Sequence, residues 1–133
     1  MTRIDPVRFG LVGAGRIGTH HATTLARRLG EAELVAVADP RAAAAERLGE
    51  HLGVEWLTDA QALIDDPRVE AVAITCASTA HADLVVAAAE AGKAVFVEKP
   101  MALTLADADR AIAASRAAGI PLQVGFNLSL IHI

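Results

Sequence analysis

With 133 residues, 53% of them apolar and 21% charged, the chain has the size and composition of one globular domain and can bury roughly two thirds of its unfolded surface. Its formal net charge of −4, with no basic run beyond Arg27-Arg28, excludes the electrostatic footprint of a nucleic-acid binder. The longest apolar stretch, Ala71 to Val97, is broken by His81, Asp83, Glu90 and Lys93, so no membrane span is expected. The amino terminus, Met1-Thr2-Arg3-Ile4-Asp5-Pro6, has no apolar signal region, and the lone Cys76 cannot form an intrachain disulfide, so the expected location is the cytoplasm.

Along the chain, short runs rich in Val, Ile and Ala alternate with helical patterns, which is the sequence form of a parallel sheet covered on both faces. Strands are predicted over Val7–Val12, Leu34–Ala38, Val54–Leu57, Val69–Thr75, Ala94–Val97 and Leu122–Gly125. Between the first two, Ile17, His21, Leu25 and Leu29 recur every fourth residue and predict a helix that turns this stripe toward the sheet, with Gly30 as its C-cap. Further helices are predicted over Arg41–His51, Asp59–Ile64, Ala80–Ala91 and Leu105–Ala118. The last carries the clearest limits: Thr104 with Asp107 resembles a capping box, and Gly119 and Pro121 stop the helix. The expected fold class is α/β, a doubly wound parallel Rossmann sheet of six strands in the order 3-2-1-4-5-6.

Gly13-Ala14-Gly15-Arg16-Ile17-Gly18 is a GxGxxG sequence. By itself it is a weak signal, but it follows an apolar strand and opens a helix, and Asp39 ends the second strand 21 residues beyond Gly18. Gly13 permits the tight turn, Gly15 lets backbone N–H groups approach a pyrophosphate at the positive helix end, and Gly18 lets helix and strand pack closely. Arg16 and Ile17 fall on the same phosphate-binding turn. Asp39 can accept hydrogen bonds from the adenosine ribose and repel a 2′-phosphate, which favours NAD over NADP. Arg41, two residues on, can bind such a phosphate, so NADP stays open as the lesser choice. Asp39 can equally serve as the N-cap of the following helix.

After the fourth strand come Thr75-Cys76-Ala77-Ser78-Thr79-Ala80-His81, at the sheet edge where open α/β folds bind ligands. Cys76, Ser78 and His81 are cofactor-contact candidates there; the alternatives are that Ser78 or Thr79 caps the next helix and that Cys76 is a small buried residue. Glu98-Lys99-Pro100 after the fifth strand reaches the same edge. Lys99 can donate to a substrate hydroxyl oxygen and stabilise negative charge as hydride leaves the carbon, although spacing alone also fits a surface lysine. No histidine spacing suggests a metal site.

These residues, together with His21-Ala22, Ala38-Asp39-Pro40, Thr79-Ala80-His81 and Gly125-Phe126-Asn127, resemble the N-terminal domain of the Gfo/Idh/MocA oxidoreductases over about residues 7 to 127. Within that family, Gly-Phe-Asn and the Asp39 position look most like inositol 2-dehydrogenases. Ala77 and Ala80 depart from the Pro and Thr that the family often carries. The resemblance implies NAD-dependent oxidation of a cyclic polyol or sugar secondary alcohol, with Lys99 in the catalytic site and both Glu98 and Lys99 near the cofactor. It implies a histidine base, paired with an aspartate, in a C-terminal substrate domain that also makes homo-oligomer contacts; that domain is expected to be absent here.

The domain is expected to span residues 1–127. The last six, Leu128-Ser129-Leu130-Ile131-His132-Ile133, depart from the family and are the translation of CTG TCT CTT ATA CAC ATC, a transposase mosaic-end adapter. They are expected to be adapter-encoded; the alternative is a natural short domain with an apolar tail. The expected partner of the whole enzyme is a small polyol or sugar, with no nucleic acid and no membrane, and the piece alone is expected to bind cofactor without turnover. A non-catalytic NAD-sensing module is the competing function. A flavin or S-adenosylmethionine site is a third, but neither accounts for Glu98-Lys99-Pro100.

Overall fold

The computed structural model describes residues 5–125, so the Phe126-Asn127 motif and the expected adapter tail lie outside the described residues. Six strands form one sheet: β1 (Val7–Val12), β2 (Ala32–Ala38), β3 (Glu55–Leu57), β4 (Ala71–Ile74), β5 (Ala94–Glu98) and β6 (Leu122–Gly125). Every neighbouring pair is parallel, as the alternating pattern predicts, and the order is β3-β2-β1-β4-β5-β6, the order expected of a Rossmann sheet. The helices are α1 (Arg16–Arg27), α2 (Ala42–Leu52), α3 (Ala60–Asp65), α4 (His81–Glu90) and α5 (Leu105–Ala118), with a 3₁₀ turn at Ser78–Ala80 before α4.

Successive side chains on a strand point to opposite faces, and that period divides the interior in two. Leu11, Val37 and Ala73 pack on one face with Ala22 and Leu25 of α1 and Leu48 of α2. Their chain neighbours Val12, Ala36, Ala38, Val72 and Ile74 pack on the other face with Leu63 and Ile64 of α3, Val85 and Ala88 of α4 and Ala111 of α5. With both faces covered, a strand is apolar throughout, which is why β4 reads Ala-Val-Ala-Ile with all four residues buried.

Two ends of α1 differ from expectation. Its stripe holds for His21 and Leu25, which are buried, but Ile17 is 53% exposed at the first turn, directly after the glycine loop. The helix also ends at Arg27 with Arg28 as its cap, whose N–H bonds to the Thr24 carbonyl, so Gly30 lies beyond the cap in the following turn. Strand β4 is shorter than predicted because Val69 donates to the Asp66 carbonyl in a turn. The limits of α5 are as expected: Thr104 accepts from the Asp107 N–H, and Gly119 closes the helix in the left-handed conformation at φ 69°. No helix among the described residues is long and apolar enough to cross a membrane.

Candidate cofactor-binding site

In a sheet of this order, the crossover direction reverses between β1 and β4, and the loops leaving their carboxyl ends diverge to leave a crevice. A cleft of about 570 Å³ lies there. Its walls include Gly13 and Gly15 after β1, Asp39 and Arg41 after β2, and Thr75 and Cys76 after β4.

The loop entering α1 is shaped by contacts that admit no side chain. Gly13 has φ +106°, and a Cβ there would run into the Cys76 backbone. A Cβ on Gly18 would overlap the Gly13 carbonyl oxygen. At Gly15 the opposite holds, since the nearest atom to an added Cβ is the Arg41 guanidinium at 3.7 Å. The space in front of Gly15 is therefore open on the cleft side. Gly15 is the N-cap of α1 but supplies no side-chain bond, and the first turn carries no acid. The free N–H groups and positive dipole end of a twelve-residue helix are thus left for an anion, and the cradle fits a pyrophosphate.

Asp39 is 4% exposed, and both of its carboxylate oxygens accept hydrogen bonds from the protein. Oδ2 accepts from the Ala14 N–H at 2.8 Å, and Oδ1 accepts from the Arg41 N–H at 2.8 Å. The Arg41 side chain adds two further bonds, Nε to Oδ1 at 3.1 Å and Nη2 to Oδ2 at 3.2 Å. Burial works to raise the Asp39 carboxyl, but the bonds from Arg41 and Ala14 outweigh it and hold the group below the usual carboxylate range. Asp39 therefore sits before the helix cap, which is Arg41, and joins the glycine loop to α2. Thr75 is buried and its hydroxyl lies 3.1 Å from the Val12 carbonyl and 3.0 Å from the Gly13 carbonyl, so it braces the glycine turn from β4.

Apart from Cys76, the other sequence candidates fall outside this cleft lining. Arg16 and Ile17 are exposed on the first turn of α1, and Gly18 is buried beneath the loop. Ser78 is half-buried and Thr79 exposed, and neither caps α4: the caps before the 3₁₀ turn and α4 are Ala77 and Ala80, with no side-chain bond. Cys76 is half-buried in the cleft wall, where burial, the largest influence, pushes its thiol up, away from a nucleophile. His81 is not available to a ligand. It is 2% exposed, with Nδ1 2.8 Å from the Pro100 carbonyl oxygen and Nε2 2.8 Å from the Cys76 carbonyl oxygen, so both polar atoms face the protein.

Lys99 is exposed after β5, its backbone N–H donating to the Gly125 carbonyl at 3.2 Å. Glu98 faces inward instead: Oε2 lies 2.9 Å from Nε2 of His21 on α1. Burial lowers the His21 pKa below 6.5, and the nearby His20 adds to this, while the Glu98 charge and hydrogen bond oppose it. The ring is thus neutral near pH 7 and donates from Nε2 to Glu98. Its Nδ1 is buried without a hydrogen-bond partner among the described residues. Sequence reading put His21 on a core stripe and missed this pair, which joins residues 77 positions apart.

A strand, a glycine turn and a helix with open N–H groups, beside an acidic strand end at the switch point, make this a Rossmann dinucleotide-binding domain. The chain belongs to the Gfo/Idh/MocA oxidoreductase family: residues 7–126 match the family described as an oxidoreductase family with an NAD-binding Rossmann fold. It is 43% identical over 122 residues to the myo-inositol 2-dehydrogenase of Thermotoga maritima, covering 91% of this chain and 36% of that protein. It is 39% identical over 121 residues to the NAD(+)-dependent scyllo-inositol 2-dehydrogenase of Bacillus subtilis, covering 90% and 35%. Its fold superposes with a TM-score of 0.85 on the crystal structure of scyllo-inositol dehydrogenase from Lactobacillus casei with bound NAD(H) and scyllo-inositol, at 30% identity, covering 91% of this chain and 36% of that one. The chain spans about a third of the length of these relatives.

Asp39→Ala is expected to weaken NADH binding about tenfold or more, the scale of a lost charged hydrogen bond together with an Ala14 N–H left unpaired. It also frees Arg41, so NADPH should lose less affinity than NADH in parallel titrations. Unchanged NADH affinity would confine Asp39 to bracing the loop.

Proposed function

We propose that this chain is the cofactor half of a dehydrogenase that transfers a hydride from a secondary alcohol of a cyclic polyol, an inositol or a related sugar, to NAD. The observation that carries this reading is the open, uncapped glycine turn beside Asp39 at the β1/β4 crevice, with Lys99 on the same sheet edge. The bound cofactor supplies the hydride acceptor. The residues of this chain supply its seat: N–H groups of the Gly13 to Gly18 turn for the pyrophosphate, and Asp39 for the adenosine ribose, with Arg16 and Ile17 at the turn's outer edge. Lys99 is the residue of this chain that donates to the substrate oxygen and holds it while negative charge develops. A general base is supplied by the part of the enzyme that corresponds to the remaining length of the relatives.

The 133-residue chain by itself is a binding unit. Calorimetry is expected to detect NAD binding, and spectrophotometric assays with myo-inositol, scyllo-inositol and glucose are expected to detect no NADH. Failure to bind NAD would overturn the cofactor assignment, and measurable turnover would overturn the claim that the base lies elsewhere. The relatives named above are dehydrogenases, which speaks against a purely non-catalytic sensing module.

A further inference from the structure

The two histidines described above do not line the cleft, yet they hold the residues on either side of Lys99. His21, on the face of the sheet covered by α1, bonds the Glu98 carboxylate at 2.9 Å, and its ring meets Phe96 edge-on at 5.9 Å between centroids. His81, at the start of α4 on the opposite face, has Nδ1 2.8 Å from the Pro100 carbonyl oxygen. Its Nε2 lies 2.8 Å from the carbonyl of Cys76, a residue of the cleft wall. A carbonyl oxygen only accepts, so a neutral His81 ring donates to one of its two contacts at a time and a protonated ring donates to both. Both rings are nearly excluded from water, at 3% and 2% exposure.

We propose that His21 and His81 are positioning residues that fix Lys99 relative to the cofactor cleft, one gripping Glu98 from α1 and the other gripping Pro100 from α4. This rests on the reading of Lys99 as a nicotinamide-side residue. The physical case is one of preorganisation. The Lys99 side chain is exposed, and a lysine stem has several freely rotating bonds, so its placement depends on the backbone that carries it. That backbone follows the end of β5, where a bond from the Lys99 N–H to Gly125 of β6 ties it to the sheet. His21 adds a tie to the same helix that the glycine turn opens, and His81 adds one to the loop after β4. Together they set the distance between the phosphate end and the Lys99 end of the site.

The test uses the chain as it exists and two probes, NADH and ADP-ribose, the second lacking the nicotinamide. The wild-type chain is expected to prefer NADH. His21→Phe, which keeps the ring volume, and His81→Leu are each expected to reduce that preference about fivefold or more while ADP-ribose affinity stays within about twofold, a coupling of the usual size for neighbouring groups. His21→Gln, which retains a donor for Glu98, is expected to restore the preference. In the Glu98→Ala background, His21→Phe should have no further effect, because the bond is already gone. A role confined to stability predicts instead a lowered melting temperature with both ligands weakened alike, and that result overturns the proposal. So does an unchanged ratio in every variant, or a wild-type chain with no preference for NADH. A wild-type chain that binds neither ligand overturns the cofactor assignment itself, which separates the two failures.

Discussion

Gly18→Ala is expected to destroy the folded cofactor turn, whereas Gly15→Ala is expected to fold nearly normally and still lose the cofactor. At Gly18 the added methyl overlaps the Gly13 carbonyl oxygen, a backbone atom braced by the Thr75 hydroxyl, so α1 and β1 have to separate. Such overpacking against backbone costs about 3 kcal/mol, which lowers the melting temperature of a domain this size by about 10 °C. At Gly15 the backbone is extended, with φ −78° and ψ −161°, and the methyl meets nothing closer than 3.7 Å. The stability change there is about 1 kcal/mol or less. The methyl nevertheless stands where a pyrophosphate must approach the helix N–H groups, so NADH affinity is expected to fall about tenfold or more. Thermal melts and NADH titrations of the two variants check both halves. Wild-type affinity in Gly15→Ala would move the pyrophosphate away from this turn.

In the full-length enzyme, Lys99→Ala is expected to lower kcat by about 100-fold to 1000-fold, the scale seen when one donor to a developing negative charge is removed. NADH affinity is expected to fall by no more than about tenfold, the loss of the nicotinamide-side contact alone, because the turn at Gly13 to Gly18 and Asp39 hold the adenosine and phosphate portions. Steady-state kinetics with inositol, paired with NADH titration, separates the two effects. Normal turnover would return Lys99 to the status of an ordinary surface lysine. A matched loss of cofactor binding would make it a cofactor ligand rather than a donor to substrate.

Local chemistry made most of this fold legible. The strands of Val7–Val12 and Leu122–Gly125 and the helix of Leu105–Ala118 fall where their apolar runs, cap and stop residues put them, because these signals act within a few residues. The parallel pairing follows from alternation and right-handed crossover, and the order 3-2-1-4-5-6 is that of the Rossmann sheet which the glycine turn and Asp39 mark. Where local signals compete with position in the sheet, the reading fails. Ile17 has the spacing of a core residue but is exposed on the first turn of α1, directly after the glycine loop. Gly30 has the chemistry of a cap, but α1 has already ended at Arg27. Ser78 and Thr79 are good capping types, yet the 3₁₀ turn before α4 turns neither toward a free helix N–H.

By itself the sequence determined the Rossmann sheet, the glycine turn and its acidic partner Asp39. Each of these depends on residue types at short, fixed separations, and the backbone has few ways to satisfy them. The tertiary structure alone decided the contacts of the histidines. His21 meets Glu98 and His81 meets Pro100 because α1 and α4 lie on opposite faces of the sheet and converge on the end of β5. No periodicity records that meeting. A hydrogen bond between residues 77 apart is set by how the packed helix lies on the sheet, and a buried imidazole has the same spacing in the chain whether it faces a ligand, a carboxylate or a carbonyl.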